Sequence, residues 1–210
     1  MNWGEIRMSK KIIAVDVDDV LAANAQGFIE FSNRQWGGDL TVEDFQEDFS
    51  QMWGVSNEEV TKRMNEYAEL GIAADYAYFK DSVSTVERLS QKYDLIVVTS
   101  RRSLLKDLTK TWLDKHFGGV FKEVRHSGFF DNLEDRSYHE TKAEICKEIG
   151  ADYLIDDQPK HCFAVAEAGI QALLFGDYIW NKKIKELPPH VTKVANWQEV
   201  EEYFNGQASQ

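Results

Sequence analysis

The acidic residues of this 210-residue chain cluster where short apolar runs end. Asp16-Val17-Asp18-Asp19 follows Ile12-Ile13-Ala14-Val15, and Asp156-Asp157 follows Tyr153-Leu154-Ile155. Thr99-Ser100 closes a third run, Leu95-Ile96-Val97-Val98, and Lys142 opens the stretch that feeds residues 153–155. If the runs are strands of one sheet, these groups converge, because ligands of open α/β sheets sit beyond the carboxyl ends of the strands. Two carboxylates ~5 Å apart repel by about 3 kcal/mol at an effective dielectric of about 20. A cluster of three or four therefore calls for a divalent cation, and an all-oxygen donor set suits Mg²⁺. With such an ion bound, Lys142 beside it could help hold a phosphoryl group against the acidic background. Taken singly, either acidic pair reads as a solvated turn or a helix N-cap. Taken together, each abutting a buried run, they mark a site.

The elements that must carry these groups are legible in the apolar pattern. Runs at 12–15, 95–98, 121–124, 153–155 and 172–175 lack alternation, as expected of strands covered on both faces. Helical periodicity spans 103–116, 141–149 and 161–168, the last two closing at Gly150 and Gly169, and a final helix is predicted over 197–204. Strand and helix alternate, so the fold class is α/β with a doubly wound parallel sheet. Residues 22–85 interrupt this order with a connection far longer than an α/β loop. Helices are predicted there at 25–34, 41–52 and 56–70, the third opened by the capping-box pattern Ser56-Asn57-Glu58-Glu59. The expected organisation is a core of residues 1–21 and 86–210 with a small helical cap, 22–85, inserted after the first strand.

Composition bounds the partners. Hydrophobic residues make up 43% of the chain and charged residues 29%, with 3 prolines, which indicates a folded globular protein. Thirty-six acidic against 24 basic residues give a net charge of −12, which disfavours polymeric nucleic acid but allows a small phosphate held by a metal and a few placed cations. Cys146 and Cys162 lack metal-site spacing and fall in apolar helical patterns, so both are expected to pack in the core. The N-terminal sequence has no apolar stretch of signal-peptide length, and no segment approaches the ~20 apolar residues of a membrane span. The expectation is a cytoplasmic monomer or homodimer without membrane association.

The four groups, in this order and strand context, resemble the haloacid dehalogenase (HAD) superfamily of phosphohydrolases over nearly the whole chain. Asp16-Val17-Asp18 matches its Asp-x-Asp strand end, Thr99 its strand-terminal hydroxyl, Lys142 its lysine and Asp156-Asp157 its acidic pair. Within the superfamily the chain is similar to the 5'(3')-deoxyribonucleotidases, through Thr99-Ser100, Trp112 with His116-Phe117-Gly118, Leu174-Phe175 and Trp180-Asn181. It departs from that branch in having Asp19 where glycine is usual and Arg101-Arg102 where a proline is common.

The resemblance implies a Rossmann-like fold and a Mg²⁺-dependent phosphatase acting on a small phosphorylated metabolite, such as a nucleoside monophosphate. It implies that Asp16 attacks phosphorus and that Asp18 serves as acid and then base. Thr99, Ser100 and Lys142 are expected to hold the phosphoryl group. Mg²⁺ is expected on the Asp16 side chain, the Asp18 carbonyl and Asp157, with Asp156 close by. Among the cap aromatics Trp53 is the one singled out as a contact to the leaving group, against the competing reading that such residues form the cap's own core. A receiver-like phosphoacceptor protein also combines acidic pairs, a hydroxyl, a lysine and Mg²⁺, but the acceptor on the first strand and the cap after it argue against that class. The second aspartate, Asp18, argues against a haloalkanoate dehalogenase.

Overall fold

The computed structural model describes residues 9–128, 131 and 140–207. Residues 1–8, part of the N-terminal stretch considered above for a signal peptide, lie outside the described residues.

Six parallel strands form one sheet in the order β3-β2-β1-β4-β5-β6, where β1 is Ile12–Val15, β2 Asp94–Thr99, β3 Glu123–His126, β4 Tyr153–Asp156, β5 Gln171–Phe175 and β6 Val191–Val194. Alternate residues of the apolar runs feed two separate cores. Ile13, Val15, Leu95, Val97, Tyr153, Ile155, Leu173 and Phe175 pack on one face. Ala14, Ile96, Val98, Leu154, Ala172 and Leu174 pack on the other. Both faces are dry, which is why the sequence shows unbroken apolar runs instead of alternation.

The second face is covered by α6 (Lys142–Glu148) and α7 (Pro159–Glu167), through Ile145, Cys146, Cys162 and Val165. Both cysteines are free and buried there. The first face takes α4 (Lys80–Lys92), α5 (Lys106–Phe117) and α9 (Trp197–Gln207), with α8 (Ile179–Lys182) following β5. Gly150 and Gly169, at φ 66° and 80°, adopt the left-handed conformation that ends a helix.

Two strands depart from expectation. The run at 121–124 begins the third strand two residues early: pairing starts at Glu123, and Phe121 packs against the core just before it. The sixth strand was not anticipated because Val191-Thr192-Lys193-Val194 is an edge strand with only its terminal valines buried.

Between β1 and β4 the connections reverse direction, creating the crevice typical of doubly wound sheets. Register decides what meets there. Val15 pairs with Ile155, and the Asp16 N–H donates to the Ile155 carbonyl at 3.0 Å, so Asp16 emerges beside Asp156.

The chain leaves the sheet after Leu21 and returns before α4. The two crossings are tied antiparallel, the Ala23 N–H donating to Ala77 O at 2.8 Å and the Phe79 N–H to Leu21 O at 2.9 Å. Between them lie α1 (Asn24–Trp36), α2 (Phe49–Trp53) and α3 (Asn57–Glu69). The single helix expected over 41–52 is broken. Thr41 and Asp44 form a capping box around a short 3-10 turn, Val42–Asp44, and Asp48 then caps α2, its carboxylate accepting from the Gln51 N–H at 3.2 Å. Two N-caps within eight residues start two helices. At α3, Ser56 accepts from the Glu59 N–H at 3.3 Å, but the Glu59 side chain turns to Arg63, so only half of the expected capping box forms.

Candidate active site

Asp16, Asp156 and Asp157 meet at the carboxyl ends of β1 and β4, with ligand oxygens within 4.8 Å of one another and all three side chains buried. Lys142, the first residue of α6, reaches in from the second face. Its ammonium donates to Asp16 Oδ2 at 2.8 Å and to Asp156 Oδ2 at 2.6 Å. The lysine is placed there by the Thr141–Glu144 capping box, which fixes the start of α6.

Three buried carboxyls face one ammonium, so the cluster carries excess negative charge. Burial and the neighbouring Asp156 and Asp18 push the Asp16 carboxyl up to about 7, although Lys142 opposes the shift. Burial, then Asp156, Asp19 and Asp16, push Asp157 well above the usual carboxylate range. For Lys142 burial works against the charge, but Asp156 and Asp16 outweigh it and raise its pKa. Among the described residues, buried Asp16 Oδ1 has no hydrogen-bond partner. An all-oxygen donor set, an orphaned carboxylate oxygen and uncompensated charge fit a hard divalent cation such as Mg²⁺.

The acidic pair is held from outside the cluster. Asp157 Oδ2 accepts from the Trp180 indole N–H at 2.9 Å and from the Gln158 side chain at 2.7 Å, while Asp156 Oδ1 accepts from the Gln158 N–H at 2.8 Å. Asp19 stands at φ 58°, the left-handed region that asparagine and aspartate tolerate better than other non-glycine residues. Its carboxylate accepts from the Ala25 N–H at 2.9 Å and so caps the start of α1. Tyr178 donates to the Asp19 carbonyl at 2.7 Å, and Trp197 to the Val20 carbonyl at 2.8 Å, pinning the first acidic loop.

A cavity of about 130 Å³ opens above Asp16. Asp18, Ser100, Arg101, Arg102 and Asp157 line it from the sheet, and Phe28, Phe45, Phe49, Met64 and Tyr67 from the inserted segment. The hydroxyl of Ser100 is buried and has no partner among the described residues. Thr99, fully buried beside it, instead accepts from the Arg101 N–H at 3.1 Å and closes the turn. Asp18 points its carboxylate at Arg101. Trp53 lies outside the cavity lining. Its indole donates to Ser32 at 2.8 Å, and its ring stacks on Phe28 and Phe49 with centroids 5.7 and 5.4 Å away.

In the sequence Arg101 stands out only as a departure from a related branch, and Trp180 only as a point of resemblance. The signal that could have promoted Arg101 is its position: a cation two residues past a strand end already bearing Thr99 and Ser100.

The family model for 5' nucleotidase, deoxy (pyrimidine), cytosolic type C protein matches residues 10–208. The chain belongs to that family. It is a HAD-superfamily phosphatase, a phosphoric monoester hydrolase among nucleotidase relatives. The phosphatase is 24% identical over 197 residues to YqfW of Bacillus subtilis, named as a candidate nucleotidase, covering 92% of this chain and 93% of that protein. Its fold matches the haloacid dehalogenase-like hydrolase SP0104 from Streptococcus pneumoniae with a TM-score of 0.68 at 16% identity, over 93% and 98% of the two chains. It also matches YfnB of Bacillus subtilis, classed as a HAD hydrolase and solved bound to magnesium, with a TM-score of 0.62 at 13% identity over 94% and 100%. No helix among the described residues is long and apolar enough to cross a membrane.

Proposed function

We propose that the phosphatase hydrolyses a nucleoside monophosphate through a covalent aspartyl-phosphate on Asp16, with Mg²⁺ as its cofactor. One observation carries the reading: one oxygen of Asp16 is held by Lys142 at 2.8 Å while the other, buried and unpartnered, belongs to a residue on the cavity wall. That is the geometry of an oriented nucleophile.

Asp16, Asp157 and the Asp18 carbonyl would hold the Mg²⁺, with Asp156 adjacent. When bound, the ion neutralises phosphoryl oxygens so that an anionic nucleophile can approach. Asp16 forms a bond to phosphorus as the ester oxygen leaves, and Asp18 gives that oxygen its proton. Asp18 then takes a proton from the water that cleaves the acyl phosphate, which returns Asp16 as a carboxylate and releases inorganic phosphate. Ser100, with its unpartnered hydroxyl on the cavity wall, is the donor we assign to the phosphoryl group. Lys142 keeps Asp16 in place, and Thr99 shapes the turn that presents Ser100.

The leaving group lies on the apolar wall of Phe28, Phe45 and Phe49, which offers ring faces to a nucleobase. At about 130 Å³ the cavity is smaller than the ~300 Å³ at the low end of ordinary ligand sites, so residues 22–85 act as a lid that lifts to admit substrate. The antiparallel tie between residues 21–23 and 77–79 is the hinge of that lid.

The test is a Mg²⁺-dependent assay on 5'- and 3'-deoxynucleotides, sugar phosphates and phosphoglycolate, with Asp16→Asn beside it. Asp16→Asn is expected to abolish turnover on every substrate while circular dichroism stays unchanged. Retained turnover would end the mechanism, and turnover confined to non-nucleotides would end the nucleotidase reading.

A further inference from the structure

Arg101 follows the end of β2 by two residues, and its side chain is only 4% exposed. A buried guanidinium carries five donors in a fixed fork and must place them. Its Nε lies 3.1 Å from Asp18 Oδ1 and 2.9 Å from Oδ2, and Nη2 lies 2.7 Å from Oδ1. Nη1 approaches Thr109 Oγ1 at 3.4 Å. The backbone is pinned too, with its N–H on Thr99 Oγ1 and its carbonyl 3.1 Å from His126 Nδ1. Among the described residues, the Asp18 carboxylate has no other hydrogen-bond partner.

An aspartate on a loop, left alone, samples several rotamers, and a proton donor misplaced by 1 Å loses much of its value. We propose that Arg101 is the positioning residue for Asp18, aiming its carboxyl at the departing ester oxygen; this rests on the reading of Asp18 as acid and base given above. The two oxygens are held unequally. Oδ1 takes both Nε and Nη2, whereas Oδ2 only shares Nε. Oδ2, with one donor against two, is the oxygen we assign to proton exchange with the ester oxygen. It passes the proton to the ester oxygen as the P–O bond breaks and the bond from Asp16 to phosphorus forms. Asp18 is left as a carboxylate on the guanidinium fork, oriented to accept the proton of the incoming water. A lysine or methionine cannot reproduce a two-point hold on one carboxylate.

The experiment compares kcat/KM for a nucleoside 5'-monophosphate and for p-nitrophenyl phosphate, with Mg²⁺, in the native protein and in Arg101→Met, Arg101→Lys and Asp18→Asn. This ratio reads only the steps through departure of the leaving group, so slow breakdown of the acyl phosphate does not enter. A nucleoside alkoxide must be protonated to leave, whereas p-nitrophenolate leaves without a proton. Arg101→Met is expected to lose about 100-fold on the nucleotide, the scale of general acid catalysis, and less than about fivefold on the aryl ester. Arg101→Lys should fall between it and the native protein on the nucleotide alone. Equal losses on both esters would overturn the proposal, because Arg101 would then serve the phosphoryl group or the fold. Should Arg101→Met not fold, Arg101→Lys decides by the same split. If Asp18→Asn itself fails to discriminate the two esters, the Asp18 reading falls. If Asp18→Asn discriminates and the Arg101 variants do not, Arg101 alone loses its role.

Discussion

The indole N–H of Trp180 donates to Asp157 Oδ2 at 2.9 Å. The same ring stacks on Tyr178, with centroids 4.6 Å apart and planes within 8°, and meets Phe45 of the inserted segment at 5.7 Å. Trp180 thus joins a proposed metal ligand to the wall of the substrate cavity. Outer-shell partners of ligating carboxylates set ligand orientation, and their loss typically costs 10–100-fold in metal affinity. Trp180→Phe, which keeps the ring and deletes the donor, is expected to weaken Mg²⁺ binding by about tenfold in calorimetric titration. Unchanged affinity would make the indole a packing element only.

Protons and Mg²⁺ should compete for the same carboxyls. The Asp16 carboxyl is raised to about 7 in the folded chain from an ordinary 3.8, chiefly by burial. The unfolded chain therefore releases this proton first. The stabilisation it gives the metal-free fold is complete below pH ~3.8 and is lost as the pH rises through about 7. Above that pH the vacated charge is available to the ion. Mg²⁺ should bind about 30-fold more weakly at pH 5.5 than at pH 8 if one proton must be displaced, and should raise the melting temperature correspondingly less. A thermal shift independent of pH would place the ion elsewhere.

The two residues of the acidic pair should fail in different ways. Asp156 binds Lys142 and the Gln158 N–H, so Asp156→Ala leaves a buried ammonium with Asp16 as its one carboxylate partner. Breaking a buried pair costs about 3 kcal/mol at the low end of measured cases, and the variant should melt earlier with or without Mg²⁺. Asp157 touches no cation among the described residues, and its carboxyl is charged only at a cost. Asp157→Ala should keep or raise the stability of the metal-free protein while abolishing Mg²⁺-dependent turnover. Melting curves and Mg²⁺ titrations of both variants check the order, and its reversal would reassign the ligands.

Much of this was legible in the residues because both faces of the sheet are buried. Four of the six strands announce themselves as apolar runs, while the edge strand β3 carries only Val124, and parallel topology then dictates that their carboxyl ends share one edge. The groups at 16, 99, 142, 156 and 157 could be brought together without any knowledge of side-chain geometry. What stayed hidden depends on contacts between distant segments. Nothing local marks Arg101 as the partner of a residue 83 positions away, or Trp180 as a donor to Asp157. The edge strand β6 was missed because half-solvated strands carry few apolar residues. The break between the 3-10 turn and α2 was missed because helical periodicity continued across it, while Thr41 and Asp48 each began a new helix.

The aromatic residues of residues 22–85 divide into two sets, and the division can be measured. Phe45 lines the cavity and is only partly buried, its ring nearly perpendicular to that of Phe28 with centroids 5.9 Å apart. Trp53 sits behind the lining, stacked on Phe28 and Phe49, under the Arg63 guanidinium at 5.2 Å and bonded to Ser32. Removing a ring that fills a packed cluster costs about 3 kcal/mol or more, and loosening the segment that walls the cavity should affect every substrate alike. Trp53→Ala is therefore expected to lower the melting temperature and reduce turnover of a nucleoside monophosphate and of p-nitrophenyl phosphate together. Phe45→Ala removes cavity wall and little core. It should raise KM for the nucleotide several-fold, leave kcat near native, and change the aryl ester least, because uniform binding of the leaving group is what is lost. Parallel losses on both esters for Phe45→Ala, with a selective loss for Trp53→Ala, would return the specificity contact to Trp53.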